Sequence, residues 1–290
     1  MTVSVTKSPC DALSFGRART RRRAIACYMR DALGEPESVA CRWAASALIH
    51  EQQFWRDYRE VLRTGVPSVR WNAFELAGPM FYRSYVETSA GRPLVVLMPH
   101  MGCFVSGLFH LHQYSPRDRP LCAFRRSAGP AQTALLFERL GDSGPPVTLL
   151  DERRHAAVSA YACLRRGGVV FAFIDTPLDS IAGSTCDPVD LFAVPAALPD
   201  GPIRLAVAAG ALLGFVFVSA SGPRRLRITF SDPIDLTTEP DQQCVLDIAR
   251  RWMAAQLECA IATSPTEWLN WPLLGELWRQ GTCPVRNTTP

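Results

Sequence analysis

From residue 93 onward, short apolar runs alternate with segments whose apolar residues recur at helical spacing. The apolar runs predict strands at 93–98, 121–124, 146–150, 168–175, 191–194, 215–220 and 225–230. The segments between them predict helices at 102–113, 131–140, 155–166, 202–211 and 241–263. Strands that alternate with helices form a largely parallel or mixed sheet with helices on its faces. We therefore predict an α/β fold with a mixed sheet flanked by helices.

The N-terminal part has a different pattern. Residues 17–63 read as amphipathic helix, interrupted by Gly34 and Pro36. No repeat or linker divides the rest of the 290-residue chain, which is long enough for one large domain. We predict a loose tail over 1–15 and a single domain over 16–290. That domain would have a helical cap over 16–90 and an α/β core over 91–290.

Composition excludes several classes of function. The net charge of +4 is too small to indicate a nucleic-acid-binding protein. Lys7 is the only lysine among the 31 basic residues, so Schiff-base, pyridoxal-phosphate and P-loop lysines are not expected. Dinucleotide, P-loop, nucleophile-elbow and zinc-protease motifs are also absent. The ten cysteines form no CxxC pair, which favours buried thiols in a reducing compartment. We expect no cofactor and no metal.

The sequence favours a cytoplasmic protein. The first residues lack the apolar stretch of a signal peptide. The uncharged segment 205–223 is close to the length of a membrane span, but Gly210 and Gly214 interrupt it. It divides naturally into a helix and a strand. Peripheral contact with the inner membrane face remains compatible with the sequence.

Two polar residues follow the ends of predicted strands. His100 follows the strand over 93–98, and Asp175 ends the strand over 168–175. In α/β folds, functional sites gather at the carboxyl ends of strands, so the two side chains can face each other across a crevice. Either residue could instead have a purely structural role, because an aspartate can cap a loop and a histidine can be a satisfied hydrogen-bonding group.

The stretch PLVVLMPHMGCFVSG resembles the histidine block of the lipid A biosynthesis (lauroyl/myristoyl) acyltransferases, within the lysophospholipid acyltransferase superfamily. RRGGVVFAFIDTPLD is similar to the strand of that family that ends in an aspartate. DLFAVPAALPDGPIRLAVAAGALLGFVFV and VLDIARRWMAAQLECAIATSPTEWLNW are similar to later blocks, the second including a Pro-x-x-Trp. The blocks occur in the family's order and cover roughly residues 16–275.

The resemblance implies an acyltransferase that moves an acyl group from a thioester to a hydroxyl or amine. It implies a lysophospholipid acyltransferase-like fold, with His100 as general base and Asp175 as the family's later aspartate. Gly102 matches the turn glycine, and Arg125 falls near a basic position of the family. We place four residues in the candidate substrate-binding region: Gly102, Cys103, Arg125 and Thr176. The implied donor is acyl carrier protein or acyl-coenzyme A, and the acceptor is a small molecule or a lipid.

The chain departs from the family at the acid of the H-x4-D/E motif, where it has Val105. No other histidine is followed by an acid at the fifth position. Three interpretations remain open: another acid, with Asp175 as the best candidate, orients His100; an amine acceptor needs less base assistance; or the protein is a non-catalytic relative that binds a carrier or partner. A Cys103 acyl-enzyme is a further alternative, although an inert thiol is favoured.

We expect no N-terminal membrane anchor like that of the family, which favours a soluble acceptor. Acyl carrier proteins are acidic, so the arginines of the N-terminal helix and those near residue 125 would suit such a donor. The same arginines would suit an anionic membrane surface, and a solvated helix face explains them equally well. They are Arg17, Arg19, Arg21, Arg22, Arg23, Arg125 and Arg126.

Overall fold

The computed structural model describes residues 15–64, 73–78, 92–113, 119–125, 147–151, 155–178, 186–222, 224–237 and 241–282. Two helices begin this part of the chain: α1 spans Phe15–Leu33 and α2 spans Glu37–Thr64. Gly34 separates them with a φ of 68°, a conformation that glycine adopts at little cost, and Pro36 follows. The predicted helical segment and its interruption are confirmed. None of the described helices is long and apolar enough to span a membrane.

The remaining elements alternate between strand and helix. They are β1 (Ala73–Ala77), β2 (Leu94–Met98), α3 (Phe104–Gln113), β3 (Leu121–Arg125), β4 (Val147–Asp151), α4 (Ala156–Arg165), β5 (Val169–Phe173), β6 (Val189–Leu191), β7 (Val194–Ala196), α5 (Gly201–Ala209), β8 (Leu212–Gly222), β9 (Arg225–Phe230), β10 (Ile234–Asp235), α6 (Gln242–Thr263) and α7 (Leu274–Thr282). A 3₁₀ turn at Trp271–Leu273 precedes α7. The helix predicted at 131–140 lies outside the described residues.

Eight of the described strands form a mixed sheet in the order β1-β9-β8-β2-β5-β3-β4, with β10 paired to β8, while β6 and β7 form a separate two-stranded sheet. The central strands β8, β2, β5, β3 and β4 run parallel, whereas β9 and β10 are antiparallel to β8. The predicted α/β fold with a mixed sheet flanked by helices is confirmed. Successive residues of β2 alternate between two apolar cores, which is why this strand reads as an uninterrupted apolar run.

Two local features differ from the sequence predictions. Within the interval 16–90, expected to be a helical cap, Ala73–Ala77 forms a strand that pairs in parallel with β9. The apolar run at 191–194 is centred on the turn of the β6–β7 hairpin, and only its ends belong to strands. Phe192 and Ala193 form that turn with φ of 55° and 59°. Glycine or asparagine usually marks such a turn, so the sequence carried no signal for it.

Candidate active site

The register of the sheet brings His100 and Asp175 together. β2 and β5 are adjacent and parallel, and their last residues, Met98 and Phe173, are paired. His100 and Asp175 each lie two residues beyond that pair. The backbone N–H of Ile174 donates to the carbonyl of Met98 at 3.1 Å, so the pairing continues into the segment that carries the aspartate. The predicted meeting of these residues at the carboxyl ends of two strands is therefore present.

The two side chains form a hydrogen-bonded dyad. His100 Nδ1 lies 2.7 Å from Oδ1 of Asp175, and the backbone N–H of His100 donates to Oδ2 at 2.9 Å. The Asp175 side chain is fully buried, whereas 29% of the His100 side chain is exposed. With Nδ1 facing the carboxylate, Nε2 is the nitrogen available to a substrate. A buried acid that orients a partly exposed histidine in this way is the arrangement in which Nε2 can accept a proton.

The segment between α6 and α7 completes the surroundings of the dyad. The Trp268 indole N–H donates to Asp175 Oδ2 at 2.8 Å. The Asn270 amide donates to the backbone carbonyl of Asp175 at 2.8 Å and lies 3.3 Å from His100 Nδ1. The backbone of this segment pairs with the histidine turn: Gly102 N–H donates to the carbonyl of Glu267, and Leu269 N–H to that of His100, both at 2.9 Å.

The electrostatic environment favours the ionised form of Asp175. Complete burial by itself would raise the pKa of this carboxyl. The opposing contributions are the charge of His100 and the hydrogen bonds from the His100 side chain, the Trp268 indole and the His100 backbone. Together they outweigh burial and hold the pKa of Asp175 below its ordinary value. The carboxylate is thus ready to stabilise an imidazolium as it forms.

Aromatic rings fix the plane of the His100 imidazole. Phe173 stacks on it with 4.1 Å between ring centroids and an interplanar angle of 20°. Phe104 meets it edge-on at 5.4 Å and 89°. One ring face and one edge of the imidazole are therefore covered by apolar groups, which limits its rotation and shields the dyad from water.

Gly102 allows the histidine turn to pack closely. Its φ is 56°, and a Cβ at this position would lie 2.3 Å from the backbone oxygen of Val218 and 2.9 Å from Glu267 Oε2. Only glycine fits such a position without displacing backbone. The observed role of Gly102 is to form the turn, which matches its place in the motif; its predicted contact with substrate stays a prediction.

Glu267 is a second buried carboxyl group near the histidine turn. Both of its carboxylate oxygens accept from the backbone N–H of Ala220, at 2.9 and 3.1 Å. Burial raises the pKa of Glu267 to about 7, and the hydrogen bond from Ala220 only partly opposes this. Near neutral pH this group therefore exists in both protonation states.

Val105 and Cys103 are both buried in the apolar core on the α3 side of the sheet. Val105 is 1% exposed. The buried Cys103 thiol lies 3.2 Å from Ser106 Oγ and 3.8 Å from Asp57 Oδ2. Buried polar partners thus surround the thiol, and the alternative of a Cys103 acyl-enzyme stays a prediction.

The structure locates the other predicted site residues only in part. Thr176 follows Asp175 directly and is half-buried. Arg125 is the last residue of β3, paired with Asp151 of β4, and its side chain lies outside the described residues, as does all of Arg126. On α1, Arg21 forms an ion pair with Glu51, and Arg22 donates to the carbonyl of Cys41.

Sequence reasoning did not identify Trp268, Asn270 or Glu267 as site residues. The Pro-x-x-Trp at 265–268 belongs to a block of the resemblance, but the resemblance assigns it no role. Trp268 lies 93 residues from the aspartate it contacts, and no local spacing encodes that distance. Among the described residues, no cluster of three or more His, Cys, Asp or Glu side chains is arranged to hold a metal ion.

No protein-family model matches this chain, and no curated protein matches it in sequence. Among solved structures it is similar to the crystal structure of the 1-acyl-sn-glycerophosphate (LPA) acyltransferase PlsC from Thermotoga maritima. The TM-score is 0.38 and the identity 10%, with 83% of this chain and 98% of that chain covered. A likeness at this level supports no conclusion about activity.

Proposed function

We propose that this protein is an acyltransferase of the lipid A acyltransferase-like type. It would transfer an acyl group from a thioester, on acyl carrier protein or coenzyme A, to an amine or hydroxyl acceptor. The observation that carries the proposal is the 2.7 Å contact between His100 Nδ1 and Asp175 Oδ1, which leaves Nε2 directed away from the acid. The motif acid missing at Val105 is supplied from the neighbouring strand.

The proposed reaction uses the dyad twice. His100 Nε2 accepts the proton of the acceptor group as its nitrogen or oxygen attacks the thioester carbonyl. The new C–N or C–O bond forms, the C–S bond breaks, and the departing thiolate takes the proton from Nε2. Asp175 stays ionised throughout: it keeps the Nδ1–H tautomer in place and stabilises the transient imidazolium.

We also propose the acyl donor, the acceptor and the cellular location of the reaction. Arg19 and Arg23 are exposed on α1, which suits an acidic carrier protein as the donor. The acceptor would be a small molecule or a lipid, with biosynthesis in the cytoplasm or at the inner membrane face as the setting. High salt should then raise KM for a carrier-bound donor more than KM for an acyl-coenzyme A donor.

The test is turnover measured by mass spectrometry, with acyl carrier protein and acyl-coenzyme A thioesters offered to a panel of amines and alcohols. His100→Ala should abolish transfer while the protein remains folded. The matched control is His155→Asn, which replaces an exposed histidine and tolerates its φ of 52°; this variant should keep normal turnover. Near-normal turnover in His100→Ala would overturn the proposal. Carrier binding without turnover in the wild-type protein would indicate the non-catalytic relative.

A further inference from the structure

The buried carboxylate of Asp175 is held by donors on both oxygens. Oδ1 faces His100 Nδ1, while Oδ2 accepts from the His100 backbone N–H at 2.9 Å and from Trp268 Nε1 at 2.8 Å. Two donors on Oδ2 fix the carboxylate plane, and so direct Oδ1 at the imidazole. Among the described side chains, those of His100 and Trp268 donate to this carboxylate.

Trp268 is itself held in place from several sides. It is 1% exposed and packs edge-on against Trp271 with 5.0 Å between ring centroids. Its backbone forms an antiparallel bridge with Met101, next to His100. Hydrogen bonds on both sides of the bridge join the two segments, so the indole N–H keeps a fixed position relative to the histidine turn.

We infer that Trp268 is a positioning residue of the proposed acyl transfer, because its indole N–H holds the Asp175 carboxylate so that Oδ1 is aimed at Nδ1 of His100. This inference rests on the proposed function only for its effect on rate. Its structural basis does not depend on that function. A fully buried aspartate needs a second strong hydrogen-bond donor besides His100 to remain a carboxylate. Asn270 assists by donating to the backbone carbonyl of Asp175.

The inference predicts two effects of losing the indole N–H. Without that donor the carboxylate is less stabilised, so the His100–Asp175 pair takes up its proton at a higher pH. The carboxylate also loses one of the two contacts that set its plane, so the orientation of the imidazole is less well defined. The first effect shifts a titration, and the second lowers kcat with little change in KM, because the acceptor and donor contacts are untouched.

The experiment compares Trp268→Phe with Trp271→Phe. The control keeps an aromatic ring beside Trp268 but removes an indole N–H from an equally buried tryptophan, one that donates to the carbonyl of Pro265 at 2.6 Å. NMR of the imidazole signals, with the His100 signal identified among the five histidines by its loss in His100→Ala, follows proton uptake by the pair. We expect the midpoint to rise by about one pH unit in Trp268→Phe and to stay unchanged in Trp271→Phe. kcat should fall about tenfold in Trp268→Phe alone.

A midpoint that does not move in folded Trp268→Phe, or that moves equally in both variants, would overturn the inference. If Trp268→Phe does not fold, 3-benzothienylalanine at position 268 replaces the N–H by sulfur with almost the same shape, and the same shift is expected. The titration needs no substrate, so it decides the inference even if no thioester is turned over. Conversely, His100→Ala without an effect on turnover would remove the proposed function and leave the titration result standing.

Discussion

Asp175 and Asp200 are both buried and both paired with a basic side chain, but the two partners differ in whether they can release a proton. Asp175 pairs with His100, which is partly exposed. Asp200 pairs with Arg250 at 2.7 Å, and the side chains are 2% and 4% exposed. A guanidinium keeps its proton in proteins, whereas an imidazole exchanges one near neutral pH. Only the first pair can therefore act in acid–base chemistry.

Burial and pairing with a basic side chain do not by themselves distinguish a candidate catalytic aspartate from a structural one. The Asp200 site has more charged contacts: Arg250 also pairs with Asp187 and Asp247, and Arg204 donates to Asp200 as well. These contacts join α6 to the start of α5 and to the segment that carries Asp187. What distinguishes Asp175 is a titratable partner with one nitrogen available to solvent, at the carboxyl end of two parallel strands.

The largest expected effect comes from Asp175→Asn. Oδ2 receives two N–H donors, so the asparagine oxygen will occupy that place and its NH₂ will face His100 Nδ1. This forces the imidazole proton onto Nε2 and removes the base. We expect kcat to fall by about 10⁴-fold, as when a triad aspartate is replaced in a serine protease. Asp200→Asn should keep normal kcat per folded molecule. Equal losses of kcat in the two variants would remove the distinction between the sites.

Arg250→Met tests the other side of the comparison. Removing the guanidinium leaves Asp200 buried beside the half-exposed Arg204. We expect a loss of about 3–5 kcal/mol in the free energy of unfolding, measured by urea denaturation, with kcat per folded molecule unchanged. Arg204→Met is the matched control and should cost less than about 1 kcal/mol, because its side chain is 48% exposed. A catalytic defect in folded Arg250→Met would contradict the structural role.

The sequence predicted the fold well wherever a strand was an uninterrupted apolar run or a helix had a clear period. β1 was missed because AFELA is short and follows a long helical segment. The β6–β7 turn was missed because Phe192 and Ala193 adopt positive φ without glycine. Both are places where tertiary contacts override local preference.

The dyad was partly predictable and its support was not. The carboxyl ends of parallel strands in an α/β fold lie at the same edge of the sheet, so His100 and Asp175 could be proposed as neighbours. That they are adjacent depends on β2 and β5 being paired in register, which no short-range pattern encodes. Trp268 and Asn270 lie in a segment whose sequence signal is the Pro-x-x-Trp of the resemblance, which assigns them no role.

The Val105→Asp variant tests whether the acid position of the H-x4-D/E motif can still accommodate a carboxylate. Val105 lies in an apolar core, and a carboxylate at this position would be surrounded by the apolar side chains of that core. We expect a loss of about 3 kcal/mol in stability at neutral pH and no gain in activity, because Asp175 already occupies His100 Nδ1. Val105→Asn separates the effect of charge from that of polarity. Recovery of turnover when Val105→Asp is added to Asp175→Asn would show that the two acid positions are interchangeable.

The smallest predicted effect on stability comes from Glu267. Unlike Asp175 and Asp200, this buried carboxyl has no cationic partner in its described contacts. Burial raises the pKa of Glu267 from 4.5 to about 7. The folded protein therefore holds this proton more tightly than the unfolded chain, so the stabilisation is complete at low pH and is lost as pH rises through 7. Between pH 5 and 7 the wild-type protein should lose about 2 kcal/mol relative to Glu267→Gln.

Urea denaturation of both proteins at pH 5, 6 and 7 measures this difference. The glutamine oxygen can still accept from Ala220 N–H, so the variant isolates the titration from the hydrogen bond. The Asp175 carboxyl contributes in the opposite sense, because its lowered pKa adds stability that is lost only as pH falls below its ordinary range. Parallel stability profiles for the two proteins between pH 5 and 7 would show that Glu267 stays ionised in the fold. It would then resemble Asp175 in charge state, although its described contacts include no histidine.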